Sequence, residues 1–255
     1  MSNMLPLSCI GNVCYADEFH QTCTVISMLA FCYRNFQDAK IIENFTFLKN
    51  LVNEMQSDSI IAFRYENESL LALLAREHLN DSIKISISFE NYVKAALLNQ
   101  GFVVHKIDGN INNKKYKVIS KKQNDEPVSI NELKLYEPFS TQDIGTQYYI
   151  KSLKNYTLGL DFILDSPNYM QYLKEIDQKI KEIINNFYRL RNTLHFTNGG
   201  NLLHVGFDEI LTLTQLIDFV NNNIISQHNY LISDFKLKYN STLYSESNNL
   251  PRIFI

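Results

Sequence analysis

The chain has 255 residues, 45% of them hydrophobic and 20% charged, with a formal net charge of −3. That length suits one large domain or two small ones, and the apolar fraction excludes wholesale disorder. The near-neutral balance excludes a generally basic nucleic-acid-binding surface while leaving room for a local one. Low glycine and proline exclude collagen-like and linker-like compositions.

The first residues, Met1 to Pro6, have neither a basic segment nor a continuous apolar run, so they do not read as a secretory signal. The longest apolar stretch, Val25 to Tyr33, is interrupted by Ser27 and is far short of the ~20 residues of a membrane span. A cytoplasmic location is the resulting expectation. All four cysteines, Cys9, Cys14, Cys23 and Cys32, fall near the start with spacings that fit no common zinc pattern. They read as reduced, small apolar residues of a cytosolic core; the competing reading is a partial metal site of Cys14, His20 and Cys23.

Asp17 to Arg34 reads as a helix with Phe19, Cys23, Ile26 and Ala30 on one face. A second helix is predicted over Ala39 to Met55, and a third over Asn67 to Leu79 with Asn67 as its N-cap. Ile83, Ile85 and Ile87 alternate with polar residues and predict a short half-buried strand. Asn91 to Asn99 returns to helix, capped by Ser88 and ended by Gly101.

Phe102 to Ile107 and Tyr116 to Ile119 read as two strands of a hairpin. Lys114, Lys115, Lys117, Lys121 and Lys122 make it the most basic patch of the chain, suited to RNA backbone or simply to a protected sheet edge. Asp143 to Leu164 reads as helix. Ser166-Pro167 then marks the start of one long helix, Asn168 to His195, on which Tyr169, Leu173, Ile176, Ile180, Ile183, Phe187, Leu190 and Leu194 form an apolar seam. Thr197 to Gly200 stops it, and Asp208 caps a further helix with Ile217, Val220 and Ile224 inward. The expected fold is mainly α: a helical bundle with a small β-hairpin or strand insertion near the middle. Three regions follow, an N-terminal one over 1–125, a polar junction over 126–141, and a C-terminal bundle over 142–255.

At the end of the long helix stands Arg189-Leu190-Arg191-Asn192-Thr193-Leu194-His195. At ~100° per residue Arg191 and His195 lie about 40° apart, Asn192 shares their arc, and Arg189 falls about 120° from His195. An arginine, an amide and an imidazole thus border a packed face. These residue types suit metal-free RNA cleavage. Histidine titrates near neutral pH and moves the protons of the 2′-hydroxyl and the leaving 5′-oxygen. Arginine holds charge on the phosphorane, and asparagine orients the phosphate or the ring. Basic residues also suit the last turn of any helix, by way of its dipole and free carbonyls.

In these residues and their setting, residues 143–226 resemble the HEPN superfamily of helical toxin and antiviral ribonucleases. That family's motif is an Arg and a polar residue, then a His, between two core helices. Arg191-Asn192 and His195 supply the elements with a shortened spacing; Arg189 and His195 have the familiar spacing but Leu190 in the polar position. The resemblance implies a metal-independent endoribonuclease with His195 as general acid/base, Arg191 or Arg189 on the phosphate and Asn192 orienting. It also implies a homodimer with two motifs in one cleft, and an antitoxin or phage-defence partner.

Two other readings are carried. One is a non-catalytic helical interaction protein. The other is a magnesium-dependent, restriction-like nuclease, loosely suggested by Glu90 to His105, with Asp108 and the Glu132-Leu133-Lys134 element as its metal-site residues. That last reading requires Glu132 and Lys134 on a strand. His204 is expected in a loop, and His78 and His105 as isolated residues. No nucleotide-binding glycine loop or nucleophile elbow is present in the sequence, so no cofactor is implied.

Overall fold

The computed structural model describes residues 18–39, 68–110, 114–136, 140–141, 148–149, 153–193, 208–244 and 248–253. For some helical residues, 68–79, 189–193 and 208–213 among them, the description is of the backbone. Of the described residues 73% are helical, and the mainly α expectation holds, with short antiparallel strand pairs as the β component. The predicted helix at Ala39 to Met55 lies, beyond Ala39, outside the described residues. The chain divides into two compact units. One is drawn from Met1–Ala30, Glu90–Asp177 and Gln227–Leu250, the other from Phe31–Phe89, Gln178–Ser226 and Pro251–Ile255.

Helix α1 is Glu18–Asp38 and α2 is Glu68–Asn99. The first agrees with its apolar face, since Cys23 and Ile26 are buried. The second corrects two expectations. Ile83 to Ile87 is not a strand but the interior of α2, and Ser88 is not a cap but a mid-helix residue. The physical reason is in the burial pattern. Asp81, Ile85, Ser88, Phe89, Tyr92 and Ala96 are buried at steps of three, four and one, which is a helical period. Ser86 and Ser88 are small enough to face inward, so the sequence alternation of Ile and polar residues does not mark two faces.

In the first unit α2 ends in a Schellman motif. Phe102 N donates to Leu97 O and Gly101 N to Leu98 O, with Gly101 at φ +84°. The following chain forms strand β1, His105–Ile107. Its partner is β4, Leu153–Thr157, antiparallel with an irregularity between His105 and Ile107. The expected partner, Tyr116 to Ile119, is instead part of helix α3, Lys114–Asp125. Helix α4, Ile130–Tyr136, follows a bridge between Phe102 and Ser129. Strands β2, Ser140–Thr141, and β3, Tyr148–Tyr149, form a second antiparallel pair. The predicted helix over Asp143 to Leu164 is thus corrected to strands followed by the short helix α5, Leu160–Asp165. Its tyrosines, threonine and isoleucine favour a pleated surface.

The long predicted helix is also broken. Pro167–Met170 is the short helix α6, with Pro in its first turn. Turns follow, and helix α7 runs over Gln178–Thr193. Tyr169, Leu173 and Ile176 are buried as the seam requires, but the backbone between them is secured by bonds foreign to a continuous α-helix. Leu173 N donates to Met170 O and Ile176 N to Leu173 O, three residues back. Gln100 Nε2 donates to Tyr172 O at 2.7 Å, and Tyr92 Oη donates to Glu175 Oε1 at 2.7 Å. The end of α2 therefore holds the break in place.

The first unit closes with helix α9, Ser226–Tyr239, after helix α8, Asp208–Phe219, and a π-helical segment, Val220–Ile225, of the second unit. Phe235 stacks near Phe19, Tyr239 and Tyr244, and Lys238 pairs with Glu18. Asn229 binds Leu250 through both ends of its amide, accepting from the backbone N at 2.8 Å and donating to O at 3.0 Å.

In the second unit Cys32 and Ser88 exchange hydrogen bonds. Cys32 Sγ donates to Ser88 O at 3.1 Å and Ser88 Oγ donates to Cys32 O at 2.8 Å. Phe89 lies 5.6 Å from Phe219 between ring centroids. Helices α7 and α8 pack on each other, with Ile180, Ile183 and Ile184 of the one and Leu216 and Ile217 of the other buried. Asn221 binds Ile253 as Asn229 binds Leu250, accepting from N at 2.8 Å and donating to O at 2.9 Å.

Candidate functional site

The residues of the Arg-polar-His motif belong to the second unit. Arg189, Arg191 and Asn192 occupy the last two turns of α7, whose final residue is Thr193. His195 and His204 lie outside the described residues. The helix is positioned by its own apolar stripe, Ile180, Ile183 and Ile184, buried against the unit's core. By helical register Arg191 falls about 20° from Ile184, in the arc of the buried isoleucines, while Arg189 falls roughly opposite that arc. Arg191 and Asn192 thus stand at the C-terminal end of a helix that packs on the next described helix, α8. The break after α6 shortens the helix but leaves Arg189, Arg191 and Asn192 on its final turns.

The magnesium-site residues are arranged otherwise. Glu132 and Lys134 lie on helix α4, not on a strand, so two residues of separation put them on different sides of a helix. Glu132 receives the Lys122 ammonium at 2.7 and 2.8 Å, and Glu126 lies 3.5 Å from the same nitrogen. The Glu132 bond holds Lys122 above the usual lysine range. Asp108 pairs with Lys154 at 3.6 Å. The strand-borne Glu-x-Lys geometry that this reading needs is therefore absent at these residues.

Of the cysteines, Cys23 and Cys32 are buried thiols, neither in a disulfide. Burial pushes the Cys32 thiol far up, despite its bond to Ser88, so it is neither a thiolate nucleophile nor a ready metal ligand at neutral pH. Cys9 and Cys14 lie outside the described residues. Among the described residues no three His, Cys, Asp or Glu are grouped to hold a metal ion. No described helix is long and apolar enough to cross a membrane.

One arrangement in the first unit was not foreseen, and a second, the basic patch, was expected on a hairpin. The first is internal. His105, on β1, is buried, and Lys94 of α2, only 7% exposed, bonds Glu90 one turn earlier at 2.6 Å. Burial, then the Lys94 charge, pulls the His105 imidazole below its ordinary range, so it is neutral at pH 7. Gln123 of α3 ties this strand down, donating to His105 O and accepting from Ile107 N, both at 2.8 Å. Tyr169 Oη donates to Gln123 O at 2.7 Å. The visible signal was the Glu90/Lys94 spacing of four; the fold was needed to bring His105 to it.

The second is external. The lysine-rich segment is a helix, and its inner side is uncharged. Ile119 and Gln123 are buried, and Ser120 Oγ donates to Ile107 O at 3.0 Å. Lys114, Lys117 and Lys121 are exposed and fall within about 60° of one another on the opposite side. Next to β1, strand β4 carries Tyr156, 53% exposed, with Lys154 Nζ 5.5 Å from its ring centroid.

No protein-family model, no curated protein and no solved structure matches the chain.

Proposed function

We propose that the chain is a metal-independent endoribonuclease of the HEPN kind, acting from the C-terminal end of α7. His195 is the general acid/base, Arg191 holds the phosphate, with Arg189 as the alternative arginine, and Asn192 orients. The observation that carries the reading is the setting of the motif. Arg191 and Asn192 close a helix that packs on α8, the next described helix, as a site between two core helices requires. Arg191 is favoured over Arg189 because its register lies with Ile180, Ile183 and Ile184, at the packed side of the helix. The chemistry is proton transfer by imidazole to and from the ribose oxygens, with guanidinium charge on the pentacovalent phosphate. The same reading makes the working species a cytoplasmic homodimer, with an antitoxin or defence partner as its regulator.

The test is cleavage of RNA in EDTA by the wild-type protein and by His195→Ala, with circular dichroism to establish that both are folded. Cleavage lost with His195 supports the reading. Cleavage that needs magnesium and ignores His195 overturns it. The interaction-protein reading draws on a different observation, the exposed Leu135 and Leu237 on helices α4 and α9. Complete inactivity toward RNA shifts the weight to it.

A further inference from the structure

The lysines of α3 are arranged against the electrostatic interests of their own helix. Lys114 and Lys115 occupy its first turn, which holds no acidic residue, so they face the positive end of the helix dipole. Lys114, Lys117 and Lys121 follow at steps of three and four, where like charges repel. Lys122 shows the ordinary structural use of the residue, bonded to Glu132 and close to Glu126. Among the described residues Lys114, Lys117 and Lys121 form no ion pair and stand exposed. Residues 106–122 contain six lysines and one acid, Asp108, in a chain whose net charge is negative. A local rule broken without local compensation points to a use outside the fold.

We propose that the outer face of α3 binds the phosphate backbone of single-stranded RNA. Lys114 to Lys121 spans about 10 Å along the helix, roughly three nucleotides' rise of one strand. Lysine heads meet phosphates there as point charges, without reading bases. The exposed Tyr156 beside Lys154, in the same unit, adds an aromatic surface on which an unpaired base stacks, which a duplex does not offer. A membrane surface fits less well. An interfacial helix needs a free apolar face, and α3 exposes one large aliphatic side chain, Val118, while Ile119 is buried. The inference extends the proposed function by giving its substrate a holding surface, yet it stands on the lysines and the exposed tyrosine of the first unit and survives without cleavage.

The experiment is fluorescence anisotropy of a labelled single-stranded RNA in EDTA, using the full chain with His195→Ala so that the probe persists. The triple variant Lys114→Gln/Lys117→Gln/Lys121→Gln is compared with the arginine triple at the same positions. A control triple, Lys174→Gln/Lys179→Gln/Lys236→Gln, removes the same charge elsewhere. The expected result is a loss on the order of tenfold in affinity and a drop of about two in the log-log salt slope for the first variant only. The arginine triple keeps both. Equal binding by parent and glutamine triple overturns the proposal, as does a parent that binds no RNA. Capture on phosphatidylserine vesicles that depends on these lysines, with RNA unbound, replaces RNA by a membrane. RNA held at α3 but never cleaved sinks the nuclease and leaves this surface. Cleavage that needs His195 but is unchanged by the glutamine triple does the reverse.

Discussion

Helices α2 and α3 belong to one chain and use their residues to opposite ends. From Ile85 to Leu98 α2 is almost wholly buried, even at Ser86, Ser88 and Lys94. Helix α3 buries only Ile119 and Gln123 and leaves its charges outside. In the first helix Ser88 and Lys94 are tolerated because each finds a partner close by, in Cys32 and Glu90, while Ser86 is simply small. In the second, Lys114, Lys117 and Lys121 form no ion pair with any described residue. Side chains of α2 should therefore matter for stability, and the outer side chains of α3 for what the protein touches.

The largest way to sharpen this contrast is Phe89→Ala. The ring is fully buried near Phe219, so its loss should cost about 3–5 kcal/mol, read from urea denaturation. A cost below about 1 kcal/mol would break the picture of α2 as a packed element. The inner side of α3 should behave like α2. Gln123→Ala strips His105 O and Ile107 N of their shared partner and should cost about 1–3 kcal/mol in the same measurement.

Acid provides a third probe. Burial pulls His105 down, aided by the Lys94 charge, and burial also pulls His228 down against a bond to Asn229. Each folded-state value lies below the unfolded one, so the unfolded chain binds more protons. Stability is complete above the ordinary histidine range near pH 6.5 and falls as pH drops through it, by up to about 1.4 kcal/mol per pH unit for each histidine. His105→Gln should flatten the dependence of urea midpoint on pH between 5 and 7. An unchanged profile would remove His105 from the account.

The smallest expected effect is on α3's outer face. The triple glutamine variant at Lys114, Lys117 and Lys121 should be as stable as the parent or slightly more so, by about 0.2–0.5 kcal/mol per relieved repulsion. A clear destabilisation would mean that these lysines serve the fold after all.

Legibility in the sequence follows the same divide. The apolar stripe of α1 was readable because Cys23 and Ile26 are both apolar and buried. So was the stop at Gly101, because a left-handed residue is required there. Ile83 to Ile87 misled because serine is polar in pattern and small in volume: Ser86 and Ser88 sit where a helix core accepts them. Tyr116 to Ile119 misled because it is a β-rich stretch amid lysines, yet its inward residues, Ile119 and Gln123, are four apart. The break before α7 was invisible because the seam is buried from Tyr169 to Ile183 across it, while the bonds from Gln100 and Tyr92 come from far along the chain. For the candidate site, the helical placement of Arg189, Arg191 and Asn192 was legible from periodicity, while the predicted stop at Thr197 to Gly200 lies outside the described residues. The Lys94–His105 encounter was not, since only tertiary structure joins them.

The grip of Asn221 on Ile253 has its own consequence. One amide meets one backbone N–H and one backbone C=O, at 2.8 and 2.9 Å, as a neighbouring strand would. Such a clasp is blind to the side chain it holds. The segment it secures is measured rather than read: substitutions at Ile253 that keep the backbone path should pass unnoticed by Asn221, while inserting or deleting one residue just before it should pull the wrong peptide group into the clasp. The asparagine works as a ruler.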